Sequence, residues 1–73
     1  MDYETHFRKK DIPTAEKEVN CVLDLLHLIK KHMELGEIEQ AKIYDEDAKK
    51  SLENLVTLNQ LKVSQDRHEA LTR

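Results

Sequence analysis

Cys21, His27 and His32 are the residue types in this chain best suited to hold a metal ion, and Lys30 and Lys31 could meet a phosphate. All five lie in or beside one apolar stretch, Leu25 to Gly36 (LLHLIKKHMELG), which stops at the only glycine. A helix aims two ligands at one ion when they are three or four residues apart. Cys21 and His27 are six apart, His27 and His32 five, so on a helix the two imidazoles point about 140° away from each other. The ligand types diverge, and no metal or other cofactor is expected. Cys21 reads instead as a small apolar interface residue, His27 as a solvated one, and His32 as a cation at a helix end or an interface rim.

Catalysis fares no better. No glycine-rich phosphate loop is present, and the many carboxylates are spaced as helical partners of lysines rather than as a converging acid–base pair. The run Arg8-Lys9-Lys10 is offset by Asp2, Glu4 and Asp11, and 15 acidic against 12 basic residues give a net charge of −3. That balance leaves no field of one sign for a nucleic acid. The chain is expected to be neither an enzyme nor a nucleic-acid binder.

The elements that would position any working surface follow from composition. Seventy-three residues with one glycine, one proline and 37% charged side chains predict an all-α chain with few turns. A lone core of that size is marginal, so a partner or a second copy is expected. A single cysteine forms no internal disulfide, no apolar signal core follows the N-terminus, and the longest apolar stretch is too short to span a bilayer; a cytoplasmic setting is the expectation.

Asp11, Pro13 and Thr14 mark the start of a first helix over about 13–35, with Gly36 as its left-handed cap and Lys30, Lys31 and His32 against the negative end of its dipole. Glu37 and Glu39 open a second helix over about 37–63. The short connection makes the two an antiparallel hairpin spanning 12–65, between an N-terminal arm or short helix (1–11) and a C-terminal tail (66–73).

Two apolar rows compete on the first helix. Ile12, Ala15, Val19, Val22, Leu26, Ile29 and Met33 alternate three and four apart, as a seam facing the second helix would. Cys21, Leu25, Leu28 and Leu35 form another row roughly 120° away. On the second helix, Ile38, Ala41, Tyr44, Ala48, Leu52, Leu55, Val56 and Leu58 share a broad face, and Ile43 and Leu61 point elsewhere. One partner helix cannot cover both rows. Cys21, Leu25, Leu28, Leu35, Ile43 and Leu61 are therefore the expected partner-binding residues, acting by burial alone.

Gly36 to Ala48 (GEIEQAKIYDEDA) resembles the turn and second helix of a tetratricopeptide unit. More broadly, Leu28–Gly36 (LIKKHMELG) and Asp47–Val56 (DAKKSLENLV) give the stretch Asp11 to Leu61 a resemblance to the small cochaperones of type III secretion needle subunits, the YscE, PscE, SsaE and EscE group. The resemblance implies a cytoplasmic hairpin that binds a tetratricopeptide-like chaperone and, with it, keeps a needle subunit unpolymerised before export. The competing expectation is a small self-associating phage or regulatory protein, two hairpins pairing as a four-helix bundle.

Overall fold

A computed structural model of the chain describes residues 1–72; Arg73, the last residue of the expected tail, lies outside them. The order is α1 (Tyr3–His6), a 3-10 turn (Lys9–Asp11), α2 (Ile12–Glu34) and α3 (Ile38–Thr72). The expected all-α hairpin is present: α2 and α3 pack antiparallel into a rod of 56 × 16 × 14 Å.

Each helix boundary has a local cause. Pro13 sits in the first turn of α2, where its missing N–H costs nothing. Asp11 precedes the helix but does not cap it; its carboxylate instead accepts the Arg8 Nε hydrogen bond at 2.6 Å. At the other end Gly36 adopts φ +78°, its N–H reaches the Met33 carbonyl at 3.0 Å, and the Glu37 N–H reaches the His32 carbonyl at 2.8 Å. These two bonds form a Schellman motif, which satisfies carbonyls the ending helix would leave unpaired.

The second helix runs past its expected end near Val63 to Thr72, so the described part of the expected tail is helical. Nothing after Gly36 breaks a helix, and the last turns are laced by Lys62–Asp66 at 3.0 Å and a Gln65–Glu69 hydrogen bond at 3.3 Å, both four residues apart. The N-terminal arm also folds. Phe7 is buried, the Tyr3 and Phe7 rings lie 6.0 Å apart, and Asn59 Nδ2 donates to the His6 carbonyl at 2.9 Å. At its start the Thr5 hydroxyl donates to Asp2 Oδ2 at 2.5 Å, holding that carboxyl below its usual range.

The hairpin seam is built from small residues. Ala15, Val22, Ala41, Ala48 and Ser51 are buried, and no large side chain is fully enclosed. Around them Glu18, Leu25, Ile29 and His32 of α2 and Tyr44, Leu55, Leu58 and Lys62 of α3 are half-buried. Ala15, Val22 and Ile29 repeat every seven residues, as do Glu18, Leu25 and His32, so the contact line runs between the two apolar rows and takes members of both. Leu26 and Met33 of the first row, and Ile38, Leu52 and Val56 of the broad α3 face, are consequently exposed, contrary to the sequence reading. Ala41 and Ala48 let the backbones approach closely, and Ser51, absent from the expected face, completes the small-residue line.

Two substitutions probe this frame. Nothing lies within 4 Å of a Cβ added at Gly36, so Gly36→Ala should cost only the left-handed backbone strain, about 1–2 kcal/mol. Thermal melts followed by circular dichroism should show a midpoint lower by roughly 4–8 °C per kcal/mol. Glu18 lies in the seam with Oε2 buried and without a hydrogen-bond partner among the described residues. Glu18→Leu removes that desolvated oxygen and should raise stability by about 1 kcal/mol in urea unfolding; a loss would show that the carboxylate helps hold the hairpin.

Candidate functional surface

The chemically capable residues of α2 stay apart in the folded chain. Cys21 is exposed, and its sulfur accepts a hydrogen bond from the Ser51 hydroxyl at 3.6 Å across the hairpin. His27 projects from the outer strip of α2. His32 lies at the corner instead, with Nδ1 3.2 Å from Glu37 Oε1 and its ring 5.3 Å from that of Tyr44. Its contacts clamp the end of α2 to the start of α3, a structural use of the imidazole. Among the described residues no three His, Cys, Asp or Glu side chains converge as a metal site would require. Arg8 is engaged with Asp11, which leaves Lys9 and Lys10 as the cations beside an open hollow lined also by Leu61, Gln65 and His68.

What the surface offers is apolar area, arranged by the rotation of the two helices. Antiparallel packing puts the residues flanking each side of the seam onto two opposite faces of the rod. One side of the rod carries Leu35 and Ile43 near the turn, Leu28 and Cys21 farther down α2, and Leu61 toward the far end of α3. Of the six expected partner-binding residues, Cys21, Leu35, Ile43 and Leu61 are exposed, Leu35 to 63%. Leu25 and Leu28 are half-buried, Leu25 within the seam itself. Leu25 therefore belongs to the contact between helices and not to a free surface, because the seam runs three residues on from Val22.

The opposite face carries Leu23, Leu26 and Met33 from α2 and Ile38, Leu52 and Val56 from α3, all exposed. Periodicity alone places five of these, all but Leu23, on the faces expected to meet in the hairpin. The available signal was arithmetic: apolar residues lay on more than half the circumference of α2, whereas one neighbouring helix covers a far narrower stripe. At the lower end of this face the N-terminal segment has already settled, so Met1, His6 and Phe7 line an apolar hollow with Leu52, Leu55, Val56 and Asn59. No helix among the described residues is long and apolar enough to cross a membrane.

No family model, curated protein or solved structure matches the chain. The surface itself carries the functional argument.

Proposed function

We propose that this chain is a non-catalytic helical binding module, a cytoplasmic cochaperone of the type III secretion kind. Its hairpin would stabilise a tetratricopeptide-like chaperone and, through it, help keep a needle subunit from polymerising. The observation that carries the binding role is the exposed apolar pair Leu35 and Ile43 near the turn, with Cys21 and Leu61 farther down the same side, on a rod whose own seam encloses mainly alanine-sized side chains. Such a face favours a partner that presents a helical groove, since helix-in-groove docking buries side chains at helical spacing without any chemical step. Of the phrases that carry the likeness to needle-subunit cochaperones, LIKKHMELG ends at the turn and DAKKSLENLV lies in the middle of α3. A repeat-built chaperone would lay its terminal helices against the hairpin as one repeat stacks on the next.

The role is tested by titrating the purified chain with such a chaperone. Leu35→Asp and Ile43→Asp alter exposed residues outside the seam, so helical content should stay intact while affinity falls at least about tenfold for each, as hot-spot truncation typically gives. Leu25→Asp is unsuited to the purpose, because it would also disturb the hairpin. Alkylation of Cys21 should slow sharply in the complex. Unchanged affinity in both variants with an equally reactive thiol would remove this face as the docking surface.

A further inference from the structure

The opposite face has a pattern of its own. Along α2, Glu16, Val19, Leu23, Leu26, Lys30 and Met33 step alternately three and four residues, which is the spacing of a coiled-coil seam, yet all of them but Val19 are exposed. Val19 is half-buried at its edge, and Leu23, Leu26 and Met33 are 51–57% exposed. With Ile38 and Leu52 of α3 the face leaves on the order of 500 Å² of apolar surface open to water. A stable pairwise interface takes about 800 Å² from each partner, a little over half of it apolar, so the α2 stripe supplies the larger part of one dimer contact and Ile38 and Leu52 beside it complete the area.

The stripe is also complementary to itself in one direction. Turned end for end about Leu23, it lays Val19 against Leu26 and Leu23 against Leu23, and it brings Glu16 of one copy opposite Lys30 of the other at both ends. A parallel pairing would set Glu16 against Glu16 and Lys30 against Lys30. Among the described residues neither Glu16 nor Lys30 joins an ion pair within the chain. The α3 half of the face is partly occupied by Phe7 and its neighbours, whereas on the α2 half Glu16, Leu23, Leu26, Lys30 and Met33 are all exposed.

We propose that two copies of this chain associate through α2, antiparallel about Leu23, with reciprocal Glu16–Lys30 pairs closing the two ends of an apolar stripe. The contact is isologous, so it closes at two copies and does not propagate. It uses the face opposite Leu35 and Ile43, goes beyond the binding role proposed above, and would leave that role standing if it failed.

Sedimentation equilibrium of the full chain over a concentration series tests it. The chain should be a monomer–dimer system, and Lys30→Glu or Glu16→Lys, each placing two like-charge contacts where two ion pairs stood, should weaken the dimer by about tenfold at low salt. Combining the two substitutions should restore the original association within about threefold. Both residues are exposed, so neither change should unfold the hairpin. In a Cys21→Ser background, Leu23→Cys should oxidise to a disulfide-linked dimer, since the two-fold axis passes beside that residue. A monomer at every concentration, a dimer indifferent to the single charge reversals, or a double reversal that fails to restore it would each overturn the proposal.

Discussion

Close approach between two helices through alanine and serine is the constraint on which this structure depends. Ala15, Ala41, Ala48 and Ser51 leave little side chain between the backbones, so the hairpin can be tight. A tight seam of small residues also removes little apolar surface from water. Leu23, Leu26, Met33, Leu35, Ile38 and Ile43 are then left on the sides of the rod, half or more of each open to water. The chain's tertiary stability and its adhesive surface are thus two results of one packing choice.

Around that seam the polar contacts do local work. The Schellman bonds at Gly36 and the His32–Glu37 and His32–Tyr44 contacts set the corner that turns α2 into α3. The Asn59–His6 bond and the burial of Phe7 fasten the N-terminal segment across the far end. Between these two clamps the buried residues are small, and half-buried Leu25, Ile29, Leu55 and Leu58 flank them. Glu18 places a buried oxygen in this thin interface without a partner among the described residues, where an apolar side chain would pack more favourably.

The two faces of the rod differ in what they can recognise. The one with Leu35, Ile43 and Leu61 is apolar and interrupted, suited to a partner that brings its own groove. The one with Leu23, Leu26 and Met33 has a regular repeat bracketed by opposite charges, and its pattern is completed by its own reverse. Apolar area supplies attraction in both cases, while the charges at Glu16 and Lys30 give direction to only one of them.

Much of this was legible in the sequence. The scarcity of Gly and Pro dictated two long helices, Gly36 between Lys30-Lys31-His32 and Glu37 dictated the corner, and the short connection dictated antiparallel packing. The divergence of Cys21, His27 and His32 around a helix was equally fixed by spacing. The sequence could not fix the rotation of α2 about its axis. A helix apolar over more than half its circumference offers several rows of helical period, and periodicity along one chain segment ranks them almost equally. Only the pairing of α2 with α3 breaks that tie, because the closest approach depends on which residues of both helices are small at the same level. That choice drew Leu25 into the seam and expelled Leu26, Met33, Leu52 and Val56. The folding of residues 1–11 was likewise a tertiary decision, since Phe7 finds a burial site only once α3 is in place beside it.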